Sequence, residues 1–174
     1  MTTALVVTLL GCGRQATAAP DAKASCQAFV QSFYKWYIAR GKASPNSDLL
    51  TVAMKTRSGD FSPELAKQLK EDLAAAAKTP SEIVGLDFDP ILNSQEQEEQ
   101  YKAVKVTTKG SSFLVEVCSV SGGKTEAQPA VEPELIQSGG KWQFVNFHYN
   151  VDKKPDDLLH ILKSLRDERK TFKK

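Results

Sequence analysis

Between Cys26 and Tyr37 apolar residues recur every three or four positions: Cys26, Phe29, Val30, Phe33, Trp36 and Tyr37. That spacing places all six on one face of a helix, which Gly41 is expected to end. Ser44-Pro45-Asn46-Ser47 has the composition of a turn, after which Ser47 or Asp48 would cap a short helix through Met54. Ser62-Pro63-Glu64 is a strong helix start: a capping hydroxyl, a proline at the first helical position, then a carboxylate at the positive end of the dipole. Leu65, Leu69 and Leu73 follow on one face, and Lys78-Thr79-Pro80 should stop the helix.

The period changes in the second half. Tyr101 to Thr108, Ser112 to Val120, Val131 to Gln137 and Trp142 to Tyr149 are β-rich runs separated by Gly, Ser and Pro, which predicts four antiparallel strands. Ser138-Gly139-Gly140-Lys141 resembles a hairpin connection, and Pro133 pushes the third run towards an edge or a bulge. Residues 86–100 lie between the two halves as a loop with a few apolar anchors. Pro155-Asp156-Asp157 should open a last helix with Leu158, Leu159, Ile161, Leu162 and Leu165 as its buried side. Helices first and strands later, without βαβ alternation, predict an α+β domain over residues 25–170. Its helices would pack on one face of a curved antiparallel sheet of about four strands.

Residues Ala4 to Leu10 form an apolar run far too short to cross a bilayer of about 30 Å as a helix. Such a run suits the core of a removable export signal. Leu9-Leu10-Gly11-Cys12 resembles a lipobox, in which a small residue admits the signal peptidase and the Cys12 thiol carries the lipid. The expected organisation is a signal segment over 1–11, a lipidated flexible tether over 12–24, and a membrane attachment through acyl chains such as palmitate. Gly13 resembles the following residue of lipoproteins sorted to the outer membrane, which places the domain on the periplasmic side of the cell envelope. Two other fates of the segment stay open: ordinary cleavage after Thr17-Ala18-Ala19, or a buried N-terminal strand.

With Cys12 acylated, Cys26 and Cys118 remain as an even pair, either bridged in an oxidising space or packed separately as small hydrophobes. The formal charge of +2 arises from 23 basic and 21 acidic residues that alternate along most of the chain. Without a concentrated basic face, nucleic-acid binding is not expected. Only the tail is locally basic, with Lys163, Arg166, Arg169, Lys170, Lys173 and Lys174 around Asp167 and Glu168. These cations suit the negative end of a final helix followed by a frayed terminus, or attraction to anionic lipid or an acidic partner.

Three segments in order carry a family resemblance: Phe33-Tyr34-Lys35-Trp36-Tyr37, then Leu86-Asp87-Phe88-Asp89-Pro90-Ile91-Leu92-Asn93-Ser94-Gln95, then Gly140-Lys141-Trp142 through Asn146-Phe147-His148-Tyr149. Together they resemble the bacterial family called domain of unknown function 3828, whose members are often envelope lipoproteins. The resemblance implies a cone-like fold similar to nuclear transport factor 2, with helices wrapped by a bent sheet, and no established activity. The chain departs from the family at Gln95-Glu96-Gln97, where the family usually has Gln-Asp.

Candidate chemistry is sparse. His148 and His160 are the only histidines, without HExxH, CxxC or a third ligand at a metal spacing, so no metal is expected. No phosphate loop, nucleophile elbow or cofactor fingerprint occurs, and no cofactor is expected. In an extended segment Asp87 and Asp89 would share one side, with Phe88 on the other. They could act as acid and base or hold a cation, or Asp89 could set a turn before Pro90 while Asp87 accepts backbone amides. The possible pocket residues are Tyr34, Tyr37, Asp87, Asp89, His148 and Tyr149. The leading expectation is a non-catalytic envelope module that binds a protein partner or a small apolar molecule. The alternatives are a small periplasmic enzyme using the cone interior and an inhibitor or immunity-like protein. An open pocket with convergent Tyr, His and Asp would favour the enzyme, and a filled cone with an exposed apolar patch would favour binding or inhibition.

Overall fold

The computed structural model describes residues 20–45, 47–78, 84–151 and 154–171. The signal segment, Cys12 and Gly13, Asn46 of the first turn, Thr79-Pro80 and the terminal Lys173 and Lys174 lie outside the described residues. Four α-helices appear among them: α1 over Pro20–Ala43, α2 over Leu49–Thr56, α3 over Pro63–Ala76 and α4 over Leu158–Thr171. The predicted caps form, since the Asp48 carboxylate accepts from Thr51 N at 3.2 Å and the Ser62 hydroxyl accepts from Leu65 N at 3.2 Å. A 3-10 turn at Ser58–Asp60 joins α2 to α3.

The expected tether is corrected at its end, because α1 already begins at Pro20. Proline fits a first helical turn, where its missing N–H has no partner to lose, and Asp21 lies in that turn on the positive end of the dipole. Small residues suggested flexibility, yet alanine is the best helix former.

Among the described residues the sheet has six strands: β1 over Gln100–Lys109, β2 over Ser112–Ser121, β3 over Lys124–Thr125, β4 over Glu132–Ser138, β5 over Lys141–Val151 and β6 over Lys154–Asp157. Their order is β1-β2-β4-β5-β6, with β3 paired to β2 and every pairing antiparallel. The two strands beyond the expected four have readable causes. Ser121-Gly122-Gly123-Lys124 repeats the chemistry of Ser138-Gly139-Gly140-Lys141. Both glycine pairs adopt positive φ, 55° and 77° in the first and 56° and 76° in the second, as a two-residue hairpin turn with the twist of the strands requires. Pro155-Asp156-Asp157 does not start α4 but forms the edge strand β6, where proline is tolerated. Its helix-start chemistry acts slightly later, with Asp157 accepting from His160 N at 3.0 Å. On α4, Leu158 and Leu162 are buried, and Leu159, Ile161 and Leu165 only partly so.

Pro133 is in an interior strand, which corrects the edge alternative and leaves the bulged one. It pairs with Phe147 beside a register shift between Glu134 and Leu135. On its other flank β2 pairs with Glu134 and Leu135 and then only with Val131, so the missing proline N–H falls where no ladder pair is registered.

The helices cover one face of this curled sheet. The core between them is aromatic: Phe33 stacks on Tyr37 at 5.8 Å between centroids and meets Phe61 at 5.6 Å and Phe144 at 4.8 Å. Ser62 N donates to Phe144 O at 2.8 Å, which pins the start of α3 to β5. At the outer strand, Gln31 donates to Tyr101 O at 3.0 Å and accepts from Ala103 N at 3.0 Å, while Gln27 donates to Ala103 O at 2.7 Å. These bonds tie α1 to β1 and occupy backbone groups that an edge strand would otherwise expose.

Candidate functional site

Residues 86–99 run from α3 to β1 across the C-terminal half of α1. Asp89 N donates to Ser94 O at 2.9 Å and Asn93 N to Asp89 O at 2.8 Å, so the stretch closes on itself as a compact turn. Asn93 adopts φ of 53° within it, a left-handed conformation that asparagine tolerates better than most side chains. Its side-chain amide reaches out to Ala130 O at 2.9 Å.

Three tyrosines from the core converge on this turn. Tyr34 donates to Ile91 O at 2.7 Å, Tyr37 to Asp89 Oδ2 at 2.8 Å, and Tyr149 to Pro90 O at 2.9 Å. The other oxygen of Asp89 accepts from Ile91 N at 2.8 Å and Leu92 N at 3.2 Å. Burial raises the Asp89 carboxyl from 3.8 to about 6, against the opposing pull of its bonds from Tyr37, Ile91 and Leu92. Burial likewise drives the Tyr34, Tyr37 and Tyr149 phenols well above their usual range, with the Asp89 charge adding to the effect. All three therefore serve as neutral donors.

Of the six candidate pocket residues, these four come together and two do not. Asp87 is exposed, and the carboxylate that accepts backbone amides in this loop is that of Asp89. Both residues border one groove, but the Asp89 carboxylate is taken up by Tyr37, Ile91 N and Leu92 N whereas Asp87 is exposed. His148 precedes Tyr149 on β5 and faces the opposite side of the sheet, as strand alternation requires. There its Nε2 is 2.7 Å from Glu134 Oε2, beside Lys109 Nζ on the same oxygen at 2.9 Å and Ser112 Oγ on Oε1 at 2.5 Å. Burial works to raise the Glu134 carboxyl, but its bonds with Ser112, Lys109 and His148 hold it below its usual value. His160 is exposed, with Nδ1 2.7 Å from Asp156.

Outside the turn lies an open groove of about 840 Å³ between α2, α3 and residues 86–99. Leu49, Leu73, Leu86 and Phe88 are among its lining residues and only partly buried, while Asp48, Asp87, Glu96, Glu98 and Glu99 stand exposed around them. Sequence reasoning named Asp87 as a site candidate and Asp48 only as a helix cap. A polar loop gives no sign of which helix will face it, although the run Glu96-Gln97-Glu98-Glu99 was a signal of local negative charge.

No protein-family model, curated protein or solved structure matches this chain. The geometry is therefore the whole basis for any function beyond the sequence motifs. Among the described residues, no three His, Cys, Asp or Glu side chains are placed to hold a metal ion.

Cys26 and Cys118 are both free and buried. Cys26 packs with Val115 and Val117 in the core, whereas Cys118 alternates to the other side of β2, opposite Lys102 of β1. The structure does not bring the two thiols together. Burial pushes Cys26 up to about 12 and also raises Cys118, whose neighbour Glu116 contributes. Since the thiolate is the reactive form, both should resist an aromatic disulfide reagent at about pH 8 in the folded domain and react promptly after unfolding. Rapid labelling of the native protein at either cysteine would contradict this placement.

Proposed function

We propose that the chain is an exported envelope lipoprotein whose α+β domain binds a partner without transforming it. One observation carries the non-catalytic part: the hydroxyls of Tyr34, Tyr37 and Tyr149 and both oxygens of Asp89 are committed to holding residues 89–92. The donors and the carboxylate that an acid–base reaction would need are thus occupied by the fold, and His148 is on the far side of the sheet. Aromatic side chains fill the interior, so a ligand would bind at the surface, where the groove outside the turn offers a concavity of about 840 Å³.

The envelope address rests on Leu9-Leu10-Gly11-Cys12 and is supported by the ordered motifs that resemble domain of unknown function 3828. Among the described residues no helix is long and apolar enough to cross a membrane. Gly13 supports placement in the outer membrane, facing the periplasm. Radiolabelled palmitate should enter the wild-type protein expressed in a bacterium with lipoprotein processing, and labelling should vanish in Cys12→Ala. Equal labelling of the two, or none in either, overturns the anchor.

A further inference from the structure

We infer that the groove between α2, α3 and residues 86–99 receives a cationic amphipathic peptide, a partner segment that carries lysine or arginine among apolar residues. This deepens the binding reading given above and rests on it. Two features of the groove choose the occupant together.

The first is apolar surface. Leu49 from α2, Leu73 from α3 and Leu86 and Phe88 from the loop line the groove while remaining partly exposed. Each retains area that a ligand could remove from water, and a volume of about 840 Å³ accommodates a few side chains. An apolar floor is poor company for a bare hydrated ion but suits the methylene stems of lysine and arginine and the leucines beside them.

The second is charge. Asp48, Asp87, Glu96, Glu98 and Glu99 rim the groove, and none forms an ion pair among the described residues. Of the acids in the lining, Asp72 is matched by Arg169, and outside the groove Asp60 pairs with Arg57, Glu116 with Lys105, Glu134 with Lys109 and Asp167 with Lys163 and Lys170, while Asp21, Glu64 and Glu126 stand unpaired among the described residues but scattered. Among the described residues Lys42 is the one basic side chain in the lining, and its Nζ donates to Glu99 O at 3.0 Å rather than to a carboxylate. A chain with a formal charge of +2 thus gathers unmatched negative charge around this groove. Like charges held together raise one another's energy, and a cationic partner relieves that repulsion while supplying steering. The carboxylates stand around an opening rather than converging, and no metal-holding group is present among the described residues, so a peptide fits better than a divalent cation.

Fluorescence anisotropy with a short labelled peptide of alternating lysine and leucine tests the inference on the whole folded domain. Companion peptides carry glutamate or serine in place of lysine. The lysine peptide should bind, the glutamate peptide should not, and added salt should weaken the complex. The triple variant Asp87→Asn, Glu96→Gln, Glu98→Gln should lose about tenfold in affinity, since each exposed pair contributes modestly. A control with the same charge change elsewhere, Asp21→Asn, Glu64→Gln, Glu126→Gln, should bind as the wild type does. Equal loss in both variants would assign the effect to net charge and overturn the inference. Comparable binding of the serine peptide would overturn the cationic assignment while leaving the groove as a binding site. Absence of binding by every peptide would overturn the groove itself, and palmitate labelling decides the envelope address separately.

Discussion

Arg169→Ala should destabilise the domain by about 3–5 kcal/mol, the cost of leaving a buried charge without its partner. Asp72, on α3, is 3% exposed, and Arg169 of α4 donates to its Oδ1 at 2.5 Å and to Val84 O at 2.7 Å. The second oxygen of Asp72 accepts from Leu86 N at 3.0 Å. One ion pair therefore joins two helices separated by the entire sheet in sequence and fixes the start of the loop that bounds the groove. Gly85 belongs to the same arrangement, since an added Cβ would lie 2.8 Å from Asp72 Oδ2. Removing both charges with Asp72→Asn and Arg169→Ala should cost less than the sum of the single changes, because neither ion is then stranded. Urea unfolding midpoints with an unchanged slope provide the measurement. The neighbouring Lys170, which is exposed and pairs with Asp167 on its own helix, should tolerate alanine with no resolvable change. A similarly small effect for Arg169 would remove the argument that α4 is clamped through this pair.

Asp89→Ala should cost about 3 kcal/mol, because Ile91 N, Leu92 N and the Tyr37 hydroxyl all lose their acceptor in a largely buried turn. Asp89→Asn should be far milder near neutrality, since an amide oxygen can still accept from the two backbone groups. The pair also separates hydrogen bonding from charge. The folded-state value of Asp89 is raised from 3.8 to about 6, so between these values the folded chain binds more protons than the unfolded chain. Stability from this group is fully present below about pH 4 and is lost as pH rises through about 6, a difference of about 3 kcal/mol. Other carboxylates move the opposite way, Glu134 and Asp157 being held below their usual values despite burial. The useful quantity is consequently the wild-type stability minus that of Asp89→Asn, which should fall across this window. A flat difference would show that burial does not penalise the Asp89 charge.

Local chemistry was readable wherever a feature depends on a few consecutive residues. Ser62-Pro63-Glu64 announces α3 because hydroxyl, proline and carboxylate each meet a requirement of one helix end. The alternation in β2 and β5 marks strands because one face must be buried. Pro155-Asp156-Asp157 misled for the same reason: its residues suit a helix start, but pairing with β5 draws them into β6, and Asp157 then caps α4 from the strand. The second Ser-Gly-Gly-Lys, at 121–124, was readable too, since it matches the hairpin motif at 138–141.

The candidate site was legible in part. Tyr34 and Tyr37 share the apolar face of α1, and Asp89 precedes a proline, so their importance could be inferred singly. Their joining required the distances between α1, β5 and the loop, which exceed fifty residues of sequence separation in each tyrosine bond. His148 and Tyr149 adjoin in sequence yet face opposite sides of the sheet, and only register against β4 and β6 told which side each takes. The Asp72–Arg169 pair gave no local sign, as each residue sits among similar charges on a helix surface.

By itself the amino-acid order determined the α+β class, the caps and turns of most elements, the aromatic face of α1 and the motif at Cys12, because each follows from propensity, periodicity or peptide chemistry over a short span. Tertiary structure alone decided that the tyrosines grip the 89–92 turn, that Cys26 and Cys118 lie on opposite sides of β2, and that scattered carboxylates ring one groove. Those outcomes depend on how the curled sheet closes over the helices, a long-range packing choice that no local pattern encodes.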